Sequence, residues 1–296
     1  MSGAYYLITS TLFLTVMGIC IKNAPGVPFP EVVFFRSLVT LVFSFSILKL
    51  KGLSFFGVDR KMLVVRGITG TIALLLYFMT LQKLPFAVAV TLQYLSPIFT
   101  ILISALLLKE PPTRLQWFAV TVAFFGVSLI YNVKLSDFTL YASLGVLASV
   151  FSAISYITIR SLNKTEHPLV VVFYFGLVGI LIVSPLLASP LSALAWRTPN
   201  AHEFMLMLLM GLAAQGAQYC ITVAYQKSKA PMIANFTYLN VVWAVLVGEF
   251  LWAEHLTPKN VIGISIIIVC AILASLRTLS LSGKVATKLT KISDVD

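Results

Sequence analysis

The chain has 296 residues, 59% of them apolar and only 10% charged, with a net charge of +11. A soluble domain carries roughly 25% charged residues. The composition therefore excludes a water-soluble enzyme, receptor module or nucleotide-binding cassette, and nearly all the Lys and Arg sit in short gaps between ten apolar stretches.

A bilayer-crossing helix needs about 20 mostly apolar residues. Unsatisfied backbone groups are costly in lipid, so each stretch reads as a helix. Span one, 3–21, starts at Met1-Ser2-Gly3-Ala4-Tyr5-Tyr6 without the basic region of a cleaved signal, and no small-residue cleavage site precedes Lys22. It is expected to be retained. Span two, 31–48, contains Arg36, roughly 8–9 Å below its outer edge at about 1.5 Å per residue. Span three, 62–81, carries Tyr77 and Phe78. Span four, 86–108, presents Gln93, Ser96, Thr100 and Ser104 on one face, with Tyr94 beside them. Pro97 lacks an N–H and predicts a kink near the middle of that span, freeing the Gln93 carbonyl for a cavity or a neighbour. Spans five, six and seven are 115–132, 139–160 and 168–188. Span eight, 203–226, places Gln215, Gln218, Tyr219, Thr222 and Gln226 along one helical face. Span nine, 230–253, holds Asn235, Tyr238, Asn240, Trp243 and, near its outer end, Glu249. Span ten is 258–279, and a basic tail, 281–296, follows.

The basic residues alternate from gap to gap. One side carries Lys49, Lys51, Arg60, Lys61 and Arg66, then Lys109 and Arg114, Arg160 and Lys164, Lys227 and Lys229, and finally Arg277, Lys284, Lys288 and Lys291. The other side has one residue per gap: Lys22, Lys83, Lys134, Arg197 and Lys259. By the positive-inside rule both termini are cytoplasmic. The basic excess is thus a topology signal, and no nucleic-acid partner is expected. Cys20, Cys220 and Cys270 are scattered inside spans, as small apolar filler would be, and have no disulfide or metal spacing.

The two halves repeat each other. Residues 67–131 align with 211–275 at a constant offset of 144, matching Gly67 with Gly211, Ala73 with Ala217, Gln82-Lys83 with Gln226-Lys227, Tyr94-Leu95 with Tyr238-Leu239 and Glu110-x-x-Thr113 with Glu254-x-x-Thr257. The first two spans align at an offset of 138, matching Phe13 with Phe151, Pro30 with Pro168, and Phe35 with Phe173. Five spans per copy force the second copy to enter the membrane from the opposite side. The expected fold is an all-α integral membrane protein: ten transmembrane helices as two inverted five-helix repeats, 1–136 and 137–280, around a central cavity.

Tyr94-Leu95-Ser96-Pro97 followed by Leu108-Lys109-Glu110-Pro111-Pro112-Thr113 resembles the end of an EamA domain, as does Tyr238-Leu239-Asn240-Val241-Val242-Trp243-Ala244 followed by Glu254-His255-Leu256-Thr257. Phe34-Phe35-Arg36 resembles the family's aromatic-Arg signature. Over about residues 5–279 the chain is similar to the ten-helix branch of the drug/metabolite transporter superfamily. The resemblance implies spans 1–4 and 6–9 around a central cavity, spans 5 and 10 peripheral, and movement of amino acids, other metabolites or drugs, often outward. The second copy departs from the pattern, with Val241 where the first has Pro97, and an added acid at Glu249.

Arg36 has two readings: a guanidinium that binds a carboxylate or phosphate or moves as a gate, and a structural arginine tied to carbonyls or snorkelling outward. Its counterpart in the second copy is Tyr174, which polarises the expected cavity. Glu249 either meets Arg36 and helps close the outer side, or lies at headgroup level. The amides Gln93, Gln215, Gln218, Asn235 and Asn240, with Tyr77, Tyr94, Tyr219, Tyr238 and Trp243, are candidates to bind an amphipathic, aromatic or zwitterionic cargo. Packing and helix–helix hydrogen bonding are the competing roles. Arg36, Glu249 and Pro97 are the gating or coupling candidates. Glu110 and Glu254 read as water-edge carboxylates that neighbour Lys109 or cap the following helix.

His167, His202 and His255 lie at span edges, and GxSxG, HExxH, DxD and Walker patterns are lacking. An enzyme, a cofactor and a metal are therefore not expected. Transport would run on the cargo's own gradient, on exchange or on an ion. The expectation is a secondary transporter of a small organic metabolite, an exporter or exchanger in the inner (plasma) membrane. Its partners are a small-molecule substrate and the lipid bilayer, with a homodimer through the peripheral helices left open. The alternative is an uptake or antiport carrier for a nucleoside-type metabolite such as S-adenosylmethionine. The topology yields one prediction: single cysteines placed within 49–61 and at 227–229 should react with an impermeant thiol reagent from the same, cytoplasmic, side. Labelling of the two segments from opposite sides would overturn it.

Overall fold

A computed structural model describes residues 2–24, 26–83, 86–131, 140–188, 196–252, 257–259, 261–270 and 272–273. The elements in chain order are α1 (Ser2–Lys22), α2 (Phe29–Leu50), α3 (Arg60–Lys83), α4 (Phe86–Gln93), α5 (Ser96–Leu107), α6 (Arg114–Tyr131), α7 (Leu140–Ser161), α8 (Pro168–Leu187), α9 (Ala201–Lys227), α10 (Ala230–Ile233), a 3₁₀ turn (Ala234–Tyr238) and α11 (Leu239–Trp252). A short apolar helix, α12 (Val261–Cys270), follows. Among the described residues, eight helical stretches are long and apolar enough to cross a membrane: Gly3–Lys22, Phe29–Leu50, Arg60–Thr80, Val90–Leu107, Tyr141–Lys164, Pro168–Leu187, Ala201–Lys227 and Ala230–Leu251. Arg114–Leu129 and Val261–Cys270, the cores of expected spans five and ten, are apolar but shorter. The gap at 132–139, Glu254, His255 and the basic tail lie outside the described residues.

The helix starts are written locally. Proline occupies the first turn of α2, α5, α8 and α10, where its missing N–H has no intrahelical partner to lose. Asp59 Oδ1 accepts from Met62 N at 3.1 Å and starts α3. Asn200 and Glu203 form a reciprocal capping box at α9, each bond 2.9 Å. Expected spans four and nine are not continuous helices. The first breaks at Tyr94-Leu95, just ahead of Pro97, which becomes the opening turn of α5. The second passes through a 3₁₀ turn that ends at Tyr238, the residue aligned with Tyr94. The expected mid-span kink is a local break in the helical pattern, with Tyr94 N still bonded to Val90 O and Phe99 N to Leu95 O at 3.1 Å each, and a 3₁₀ turn takes the corresponding place in the second half without a proline at Val241.

The packing is reciprocal between the halves. α1 lies on α9 and α3 on α7; α2 lies on α8; α3 touches α8 as α2 touches α9; α4 and α5 touch α7 as α11 touches α1. Small residues permit the close approaches. A Cβ on Gly211 would fall 2.6 Å from Val39 Cγ2, and one on the aligned Gly67 would fall 2.7 Å from Val178 Cβ. At Gly176 the obstacle is backbone: its Cβ would lie 2.8 Å from Leu41 N and 2.9 Å from Ser37 O. A narrow void lined by Leu7, Ser10, Thr11, Leu14, Tyr156, Ile221, Tyr225 and Thr237 has room for about one water. Because backbone cannot yield as a side chain does, Gly176→Ala should part α2 from α8 and lower stability by about 1–3 kcal/mol. Thermal unfolding in detergent reads this, and an unchanged midpoint would contradict the close approach.

Candidate functional site

Two arginines meet in the interior. Arg36 descends from α2 to place Nη2 3.4 Å from Gln218 Oε1 of α9. Its guanidinium carbon lies 5.3 Å from the ring centroid of Phe175 on α8. Arg66, which the charge pattern assigns to a helix edge, is instead 2% exposed. Its guanidinium carbon sits 4.2 Å from the same ring centroid. The side chain fits because Gly70, one turn on, has no Cβ: an added one would collide with Arg66 Nη1 and come within 2.8 Å of Phe175. Nε and Nη1 of both arginines are buried without a hydrogen-bond partner, and neither arginine is ion-paired to a carboxylate among the described residues. A cation over an aromatic face is attracted by the ring's quadrupole, but that leaves the N–H donors unmet. Tyr156 of α7 stacks on Tyr225 with ring centroids 4.8 Å apart and planes within 6°.

The other candidates divide into separate groups. Gln215 Nε2 donates to Ser44 Oγ at 3.1 Å, beside the Arg36–Gln218 contact. Gln93 Nε2 donates to Ser152 Oγ of α7 at 3.0 Å. At the two helix interruptions, Asn240 Nδ2 donates to Tyr94 Oη at 2.8 Å, Thr15 Oγ1 donates to Asn240 Oδ1 at 3.2 Å, and Trp243 Nε1 donates to Thr11 Oγ1 at 3.0 Å. The rings of Tyr94 and Tyr238 lie 5.9 Å apart. Tyr238 Oη and both amide atoms of Asn235 are buried without a partner. Tyr77 and Tyr219 are half-buried in apolar packing. Thr11, from the second group, and the Tyr156–Tyr225 stack both line the narrow void.

Charged contacts tie both ends. At the end bearing most of the basic residues, Glu110 Oε1 takes Arg160 Nη2 at 2.8 Å and Nε at 3.0 Å, while Glu110 Oε2 accepts from Ala230 N at 3.2 Å. Arg160 Nη1 also donates to the Gln226 carbonyl at 2.9 Å. Glu110 thus caps α10 across the bundle, whereas the following helix, α6, is capped by Thr113 and Gln116. At the same end Glu166 Oε1 accepts from Val58 N at 2.6 Å and Asp59 N at 2.5 Å. Outside the spans, burial and then the charge of Lys51 hold the His167 imidazole below the usual histidine range. At the opposite end the wholly buried Glu31 accepts from the backbone N–H of Arg197, whose guanidinium pairs with Glu203. Trp196 packs edge-on to Phe34 at 5.8 Å. Among the described residues no ion pair joins Glu249 to Arg36 directly: α2 packs on α8 and α9, whereas α11, which carries Glu249, packs on α1. Among the described residues, Glu31 and Arg197 tie α2 to the segment ahead of α9 at that end.

The family model for EamA-like transporters matches residues 1–132 and again 139–276. The chain belongs to the EamA-like transporter family. Its relatives include the pseudopaline exporter CntI of Pseudomonas aeruginosa, 30% identical over 94% of this chain and 96% of that one. The S-adenosylmethionine uptake transporter of Rickettsia prowazekii is 23% identical over 80% of each. A solved crystal structure superposes with a TM-score of 0.81 at 16% identity, covering 95% of this chain and 98% of its own. This EamA-like chain is thus an integral membrane protein of a transporter family. Sequence reasoning missed Arg66, Phe175, Glu31 and Arg160. The available signal for Arg66 was its distance into α3, about two turns past Arg60, together with Gly70 one turn further. The Glu110–Arg160 pair gives a double-mutant test. Glu110→Ala and Arg160→Ala should each cost about 1–3 kcal/mol, and the double variant should cost clearly less than their sum. Additive losses in detergent unfolding would show that the two do not act as a pair.

Proposed function

We propose that this protein is a secondary transporter of a small organic metabolite, an amino acid or related amphipathic compound, and works as an exporter or exchanger by alternating access. The observation that carries the reading is Arg36: a guanidinium buried between the halves with two nitrogens unpartnered and an amide, not an acid, as its contact. Intramembrane charge left available in this way marks a cargo path. Interrupted helices at aligned positions of the two halves support a binding region there. The reciprocal packing supports two inverted halves that rock against each other. The alternation of Lys and Arg supports an inner (plasma) membrane protein with its basic end and both termini in the cytoplasm.

The alternative, an uptake or antiport carrier for a nucleoside-type metabolite such as S-adenosylmethionine, draws on the Rickettsia relative and on the parallel Tyr156–Tyr225 stack beside the void. A sulfonium cation would face two guanidiniums there, so the exporter or exchanger reading stands first. In proteoliposomes without ATP the protein should drive counterflow of an amino-acid-like cargo. Arg36→Gln should slow initial counterflow about tenfold or more, the size of one lost charge-assisted hydrogen bond, at an unchanged unfolding midpoint. Wild-type counterflow that survives Arg36→Gln intact would remove Arg36 from the mechanism. No counterflow with amino acids, carboxylates or nucleosides would sink the transporter reading.

A further inference from the structure

We propose that Arg36 and Arg66 together form a two-pronged anion site that selects a cargo bearing two carboxylates, one for each guanidinium, on the shared platform of Phe175. This rests on the transporter reading and names the class of compound carried. Each prong holds two buried nitrogens without a partner, and neither is matched by a carboxylate of the protein among the described residues. Both guanidinium carbons lie close to one ring centroid, 5.3 Å for Arg36 and 4.2 Å for Arg66, so the cations lie within the sum of those distances of each other. Two like charges so close in a medium of low dielectric repel, and the ring face offsets this only in part. A cargo with one carboxylate would satisfy one prong and leave the other charge bare. A cargo with two would satisfy both through charge-assisted bonds.

The prongs are also distinct in origin. Arg36 comes from α2 and Arg66 from the early part of α3, so they approach Phe175 from opposite ends of the bundle. Two anionic groups separated by a short carbon chain suit that arrangement better than a single phosphate.

The test uses the full-length protein in detergent and in proteoliposomes. The probes are succinate, glutarate and L-glutamate, set against butyrate, inorganic phosphate, L-leucine and spermidine. At saturating concentration a two-carboxylate probe should raise the wild-type unfolding midpoint by about 5 °C, and butyrate should need about tenfold or more higher concentration for the same effect. Arg66→Gln should abolish the preference for two carboxylates over one while leaving butyrate binding, and Arg66→Lys should restore part of it. If Arg66→Gln fails to fold, the same comparison is made with Gly70→Ala, which displaces the guanidinium. Equal binding of butyrate and the dicarboxylates, stabilisation by phosphate alone, or counterflow of leucine or spermidine untouched by Arg66→Gln would each overturn the two-carboxylate site. The last of these would leave the transporter reading standing, whereas absence of counterflow for any probe would remove that reading itself.

Discussion

Two guanidiniums held inside an apolar bundle are the constraint around which the centre of this protein is arranged. Arginine does not shed its proton in a protein, and a charge at membrane depth is costly wherever it lacks compensation. The chain meets part of that cost with the ring of Phe175 and the amide of Gln218. Both arrangements dictate packing. Phe175 reaches the arginines because its neighbour Gly176 lets α8 lie directly on the backbone of α2, and Arg66 has a place to lie because Gly70 leaves one. The close contacts of α2, α3 and α8 therefore serve the site as much as the fold.

The ends of the bundle obey a different rule. There the charges are paired, with Glu110 on Arg160 at one end and Glu31 against Arg197 at the other. Each contact joins segments from different halves of the chain. In the proposed cycle one tie breaks while the other holds. A bound cargo shifts such an equilibrium only through its differential affinity for the two states. Partly buried charged contacts worth a few kcal/mol are of the size that one cargo's interactions can offset.

Eight of the ten expected spans were legible because lipid imposes a length and a polarity on every crossing segment. The aligned Tyr94 and Tyr238 even mark the two interruptions, although only the first has a proline beside it. The amides of span eight were legible as a face, and Gln215 and Gln218 do turn toward α2. Arg66 was not, because a basic residue at the start of a span, close to Arg60 and Lys61, is indistinguishable by pattern from a topology signal. Glu31 was hidden likewise at the mouth of span two. Similar depth puts Glu249 level with Arg36 in the sequence, but depth says nothing of azimuth, and azimuth is set by which helices pack.

The placement of the arginines also bears on how the two halves differ. At the offsets that align the copies, Arg36 corresponds to Tyr174 and Arg66 to Met210. Tyr174 donates its hydroxyl to the Phe56 carbonyl at 2.7 Å, and Met210 is fully buried in apolar packing. Both positive prongs thus belong to the first half, and the second half contributes the ring and the amide they lean on. A duplicated scaffold with identical halves would present the same chemistry to each side of the membrane. Here one half carries the charge and the other the surface it stacks on, so motion of the halves against each other would change how far the guanidiniums are satisfied by protein. That coupling ties cargo charge to the position of the halves through residues of the site itself, with no separate signalling element required.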